Sequence, residues 1–207
     1  VHLCLRRQRQ MCIRDRLGCE GGVVITASHN PKEYNGFKVY GADGSQIVSP
    51  FDSELINKVR GLSIDEVNFS VNKELIFGLG DEMDNTYLAR LKTLSLSPEE
   101  IIKQKDLPIV FTGIHGTGAV MVPKALKAFG FNNVTTVASQ DVIDGSFPTV
   151  HSPNPEEPAA LEQAILLAKE KGAELVMGTD PDADRVGVAV PTPEGEYVLL
   201  NLSLIHI

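Results

Sequence analysis

Apolar residues recur along this chain with two different periods, and each period marks a different kind of element. Gly22-Val23-Val24-Ile25-Thr26 is a short β-branched run that predicts a buried strand. It stops at Ala27-Ser28-His29-Asn30-Pro31, where Asn-Pro forces a turn and the residue before the proline leaves the α region. Gly36 to Tyr40 predicts a second strand, closed by the turn Ala42-Asp43-Gly44. Ser49-Pro50 opens a helix over about Phe51 to Val59, with Gly61 placed as its C-terminal stop.

Residues 61 to 81 are weakly patterned. Helical spacing returns from Asp84 to about Leu94 (Tyr87, Leu88, Leu91, Leu94), followed by a Ser95-to-Pro98 connection, which places a domain boundary near 80 to 84. Beyond it the chain alternates: strand 108 to 112, helix 119 to 129 ending at Gly130, strand 133 to 137, helix 156 to 171 ending at Gly172, strand 174 to 178. That βαβαβ rhythm predicts an α/β fold, a largely parallel sheet sandwiched by helices, with its sites at the carboxyl ends of strands.

Composition narrows the function. The 207 residues are 43% hydrophobic, enough for a buried core, and 27 acidic against 19 basic residues give a net charge of −8. Bulk charge therefore argues against sequence-independent binding to nucleic acid or an anionic membrane. No run approaches the ~18 to 20 apolar residues of a membrane-spanning helix. Residues 1 to 16 differ from the rest, holding Arg6, Arg7, Arg9, Arg14, Arg16, Cys4 and Cys12. That segment and the tail LSLIHI read as the translation of adaptor DNA rather than as native protein, and both are set aside from the fold. Without those cysteines no disulfide framework remains, so a reducing cytoplasm is expected.

Three motifs carry chemistry. In Gly178-Thr179-Asp180-Pro181-Asp182-Ala183-Asp184-Arg185, carboxylates stand at alternate positions just after a buried strand. Held close, Asp180, Asp182 and Asp184 repel one another unless a hard cation such as Mg²⁺ or Ca²⁺ sits between them. An EF-hand is excluded, because Arg185 occupies the glycine position and Pro191 that of the bidentate Glu. A solvated acidic turn capped by Arg185 is the plainer reading. In Thr26-Ala27-Ser28-His29-Asn30-Pro31 a strand delivers a hydroxyl into a tight turn, as an exposed nucleophile or as a turn former. No glycines flank Ser28 as a hydrolase elbow requires. Thr112-Gly113-Ile114-His115-Gly116-Thr117-Gly118 is a glycine-rich strand-to-helix junction that fits neither a dinucleotide fingerprint nor a P-loop. Free N–H groups there could favour an anion, or the segment is simply a tightly packed turn.

Taken together, TASHNP at 26 to 31, YNGFKVY at 34 to 40 and GTDPDADRVGVAV at 178 to 190 resemble the α-D-phosphohexomutases, the phosphoglucomutases and phosphomannomutases. FTGIHGTG and HSPNPEEP look closest to the phosphoglucomutase branch that also holds phosphopentomutases. The resemblance implies four domains, of which this chain would contain the C-terminal part of the first (17–83), the second (84–195) and, over 196–207, the opening of the third followed by the adaptor-like tail. It implies an intramolecular phosphotransferase, with sugar monophosphates and bisphosphates as its partners and Mg²⁺ as its cofactor.

By the same resemblance, Ser28 is the phosphorylated serine, and Ser28, Asp180, Asp182 and Asp184 are the metal ligands. Lys38 and His29 match residues of proton transfer or positioning, and Arg185 lies beside the phosphoryl group. Such a chain would interconvert glucose 1-phosphate and glucose 6-phosphate, or a related hexose or pentose phosphate, through a bisphosphate. The family's sugar-recognition and distal-phosphate loops have no counterpart here, so this chain alone is expected to be inactive. Two other readings stand beside this one. A haloacid-dehalogenase-like phosphotransferase would use an aspartate nucleophile, but the usual Asp-Gly-Thr continuation is replaced by Asp182-Ala183-Asp184 and the serine motif is left idle. The other is an inactive Mg²⁺-binding remnant.

Overall fold

A computed structural model describes residues 18–200. The basic segment 1–16 and the tail LSLIHI lie outside the described residues. Two compact units result: residues 18–24 with 38–87, and residues 25–37 with 88–200.

β1 (Gly22–Thr26) and β2 (Gly36–Tyr40) form a two-stranded sheet. The predicted turn after β2 is present: Gly44 donates to the Gly41 carbonyl at 2.9 Å, Gly44 takes φ +72°, and Tyr40 bridges to Gln46. That φ favours glycine, which explains the Asp43-Gly44 pair. Helix α1 (Phe51–Gly61) follows, two residues longer than its apolar spacing predicts. Gly61 is its last residue, and the chain leaves through an extended Leu62 rather than a left-handed glycine turn. The expectation that 22–26 is a buried strand is corrected, since Val23 is 64% and Ile25 75% exposed. A two-stranded sheet offers those side chains no covering layer. Short 3₁₀ turns at Ile64–Glu66 and Lys73–Leu75 break up the weakly patterned stretch, and α2 (Asp81–Lys92) begins three residues before the expected start.

The second unit holds the core. A short helix α3 (Pro98–Lys103) precedes β3 (Ile109–Thr112), α4 (Gly118–Phe129), β4 (Val134–Thr136), α5 (Pro158–Lys171), β5 (Leu175–Thr179), β6 (Val186–Pro191) and β7 (Tyr197–Leu200). The sheet order is β4-β3-β5-β6-β7. β4, β3 and β5 run parallel as the βαβαβ rhythm predicts, while β6 and β7 return antiparallel. Both long helices end where the sequence placed their stops, at Gly130 (φ +113°) and Gly172 (φ +63°) in left-handed caps.

Helix α5 presents Ala160, Ala164 and Ala168, one residue per turn, with Leu161 beside them; all four are buried. The alanines let the helix approach the sheet, where Val110, Val176 and Ala189 form the other side of the core. The approach is tight at Gly178, where a Cβ would lie 2.4 Å from Leu161 Cδ2. Helix packing thus fixes the carboxyl end of β5, from which the acidic motif emerges.

Candidate functional site

The acidic loop is built around one of its own carboxylates. β5 pairs with β3 on one side and β6 on the other, with Thr179 opposite Val186, so residues 180–185 must reverse the chain. Asp180, fully buried, accepts the backbone N–H groups of Asp184 and Arg185 on Oδ1, both at 3.0 Å. Ala183 donates to the Asp180 carbonyl at 2.9 Å and takes φ +55°, a left-handed conformation unfavourable for an L-residue. The other carboxylate oxygen, Oδ2, is buried without a hydrogen-bond partner, as is the neighbouring Thr179 Oγ1. Burial pushes the Asp180 carboxyl up to about 7, and the Asp182 charge adds to the effect. The Arg185 N–H and guanidinium oppose it.

Asp182 and Asp184 are half-buried at the mouth of the loop, and one oxygen from each of the three aspartates lies within 4.8 Å of the others. An orphaned buried carboxylate oxygen is costly unless something compensates it. Three hard oxygen donors so close together could hold a divalent cation.

The serine loop is a second strained turn, in the same compact unit. Ser28 has φ +55°, its N–H donates to Thr26 Oγ1 at 2.7 Å, and its Oγ lies 3.3 Å from His29 Nδ1. Asn30 closes the turn by donating to the Ala27 carbonyl at 3.1 Å. A non-glycine residue held left-handed costs about 1 to 3 kcal/mol and persists where its surroundings enforce it. His29 is held below its ordinary pKa, first by burial and then by the Arg185 guanidinium. Asp182, Glu156 and Glu157 pull the other way. The imidazole therefore lies within the field of the acidic loop.

Six of the seven residues singled out in the sequence fall in this unit: Ser28, His29, Asp180, Asp182, Asp184 and Arg185. Lys38 is on β2, half-buried, in the other unit. One residue the sequence reading passed over joins them. Glu156, from the Pro-rich segment before α5, places Oε1 4.0 Å from Arg185 Nη1. The proline spacing in HSPNPEEP was the available signal, because Pro153 and Pro155 are both fully buried and fix the path of that segment.

At the glycine-rich junction, several of the N–H groups considered from the sequence are engaged. Gly116 donates to the Gly113 carbonyl at 2.8 Å, Thr117 to that of Pro181 at 2.9 Å and Ala119 to that of Gly116 at 3.2 Å. Of these three amides, two bond within the junction and one to the acidic loop.

Known proteins match both halves of the chain. The description "Phosphoglucomutase/phosphomannomutase, alpha/beta/alpha domain II" matches residues 85–195, and "alpha/beta/alpha domain I" of the same family matches residues 8–65. A Haemophilus influenzae protein named "Probable phosphomannomutase" is 44% identical over 186 residues, covering 87% of this chain and 37% of its own length. A Staphylococcus haemolyticus phosphoglucomutase is 40% identical over 185 residues, covering 87% of this chain and 33% of its own. The chain thus spans roughly a third of these relatives. In fold, the crystal structure of a Thermus thermophilus protein named as a phosphomannomutase superposes with a TM-score of 0.66 at 23% identity, over 95% of this chain and 40% of that one. With the domain II description alone covering more than half of its residues, this chain belongs to the phosphoglucomutase/phosphomannomutase family.

Proposed function

We propose that this chain is the phosphoserine- and metal-bearing part of a phosphosugar mutase, one that moves a phosphoryl group between two hydroxyls of a hexose or pentose phosphate through a sugar bisphosphate. The observation that carries this reading is Asp180: a buried carboxylate with one oxygen tied to backbone N–H groups and the other without a partner, clustered with Asp182 and Asp184. Hard oxygen donors in that arrangement suit Mg²⁺, with Ser28 as the further ligand the family resemblance implies. When bound, such a cation would offset the negative charge that builds on the phosphoryl oxygens.

The chain's own residues supply the rest. Ser28, phosphorylated, is the donor: its Oγ–P bond breaks as a sugar hydroxyl oxygen bonds to phosphorus, and the reverse transfer takes the other phosphate back from the bisphosphate. The strained turn at Ser28 holds that oxygen in a fixed direction. His29, kept neutral more readily by burial and Arg185, can take or return the Ser28 hydroxyl proton across 3.3 Å. Arg185 adds positive charge beside the transferring group, and Glu156 limits where its guanidinium can point. The family resemblance implies a proton-transfer or positioning role for Lys38.

An aspartate nucleophile is the less favoured chemistry. Asp180 is fully buried and already engaged on one oxygen, and its carboxyl is pushed toward the protonated form. The test is a mutase assay on the full-length protein containing this chain, with glucose 1-phosphate and glucose 1,6-bisphosphate. Ser28→Ala is expected to abolish conversion; full turnover by that variant would overturn the serine assignment.

A further inference from the structure

The glycine-rich junction between β3 and α4 has no chemistry of its own in the reading above, yet it presses directly against the acidic loop. A Cβ on Gly116 would stand 2.3 Å from Pro181 Cα and 2.6 Å from the Pro181 carbonyl oxygen. A Cβ on Gly118 would stand 2.2 Å from Thr179 Oγ1 and 3.6 Å from Ala183 Cβ. Neither glycine has a left-handed φ, so the need for glycine here is proximity rather than backbone conformation. Across the gap, the Pro181 carbonyl accepts two hydrogen bonds from one residue: the Thr117 N–H at 2.9 Å and the Thr117 hydroxyl at 3.1 Å.

The junction is itself held from behind. Ile114 and His115 take φ +44° and +61°, and both are buried. His115 Nδ1 lies 2.9 Å from the Val142 carbonyl, which can only accept, so Nδ1 carries the proton. His115 Nε2 then accepts from the Thr149 hydroxyl at 2.9 Å, and Thr149 Oγ1 accepts from Gln140 Nε2 at 3.0 Å. Gln140 Oε1 accepts from Thr112 Oγ1 at 2.7 Å, which in turn accepts the Ile114 N–H at 3.1 Å. Each donor in this chain meets an acceptor, and the arrangement pins the two left-handed residues immediately before Gly116.

We propose that Gly116 and Thr117 are positioning residues: the glycine-rich junction is a rigid mould that gives the acidic loop its shape and so sets the spacing of Asp180, Asp182 and Asp184. The inference rests on the reading of those aspartates as metal ligands, but it makes a claim about loop geometry that can be tested without any metal. The mould acts on Pro181, the residue between the first two aspartates. Any displacement of Pro181 changes their separation.

The test measures, in the full chain, amide hydrogen exchange of the metal-free protein and Mg²⁺ binding by calorimetry. In Gly116→Ala the amides of Asp184 and Arg185, which donate to Asp180 Oδ1, should exchange about tenfold faster while those of β3 keep their protection; Mg²⁺ affinity should fall by about tenfold. Thr117→Val, which removes only the hydroxyl bond, should give about a threefold change in both readouts, a size expected for one exposed hydrogen bond. Thr117→Ser should restore wild-type behaviour. The proposal is overturned if Thr117→Val exchanges and binds like wild type, if Thr117→Ser fails as badly as Thr117→Val, or if the faster exchange spreads equally into β3. Should Gly116→Ala not fold, the threonine pair decides alone. A wild-type chain that binds no Mg²⁺ defeats the metal reading, and the exchange data still judge the mould.

Discussion

Gly187 lies directly beneath Pro155: a Cβ at 187 would stand 1.9 Å from the Pro155 carbonyl oxygen and 2.7 Å from its carbonyl carbon. The contact joins β6 to the segment before α5, so the strand that leaves the acidic loop also seats the segment that carries Glu156. Gly187→Ala has no flexible side chain to push aside, only backbone, and should destabilise the second unit by about 1 to 3 kcal/mol. Urea unfolding measures this. Gly145→Ala, where nothing lies within 4 Å, is the control and should leave the midpoint unchanged. Equal effects of the two substitutions would contradict the close approach.

Mg²⁺ binding should be pH-dependent with a definite sign. The Asp180 carboxyl, at about 7, stands above its ordinary 3.8, so between those values the folded metal-free protein holds a proton that the unfolded chain has released. This group therefore lowers metal-free stability progressively as pH rises from about 3.8 to about 7, and a bound cation must displace that proton. Affinity should climb from about pH 5 to 7 and level off above. Calorimetry in buffers of different ionisation enthalpy should detect proton release at about pH 6 and little at about pH 8.5. A flat profile would contradict a protonated, buried Asp180.

Asp182→Asn and Asp180→Asn should separate binding from folding. Asp182 is half-buried at the loop mouth, and its amide variant should lose most Mg²⁺ affinity with little change in Tm. Asn at 180 keeps an oxygen for the Asp184 and Arg185 N–H groups while removing a buried carboxylate, so at about pH 8 the metal-free protein should be no less stable than wild type. A fall in Tm for both variants with Mg²⁺ binding intact would mean that the acidic turn is structural.

How far the sequence could be read depended on which force shaped each part. The parallel strands and the helix stops at Gly130 and Gly172 were legible because apolar period and left-handed caps are local properties. β6 and β7 were passed over because Val186–Pro191 follows the acidic motif without a hairpin signal; its reversal is made by Asp180 accepting N–H groups from Asp184 and Arg185. Burial of β1 was misjudged because an apolar run reports what a strand can bury, not whether a layer covers it. The three aspartates were legible as a cluster, whereas Glu156 was not, since its approach to Arg185 depends on where Pro155 meets Gly187.

Protease sensitivity should follow the same division. Among the described residues, none from 62 to 80 is buried, and Phe69, Leu75 and Phe77 are more than 70% exposed. Brief chymotrypsin treatment should cut there before it cuts anywhere between 109 and 191, leaving the βαβαβ unit as the resistant product. First cleavage within 109–191 would contradict the placement of the core.

Transfer of labelled phosphate tests the central claim most directly. The full-length protein containing this chain is incubated with Mg²⁺ and glucose 1,6-bisphosphate carrying labelled phosphate, digested, and the label mapped by mass spectrometry. The account predicts label on Ser28 alone, stable to hydroxylamine and absent from Ser28→Ala. Label on Asp180 or another carboxylate, released by hydroxylamine and retained in Ser28→Ala, would contradict it.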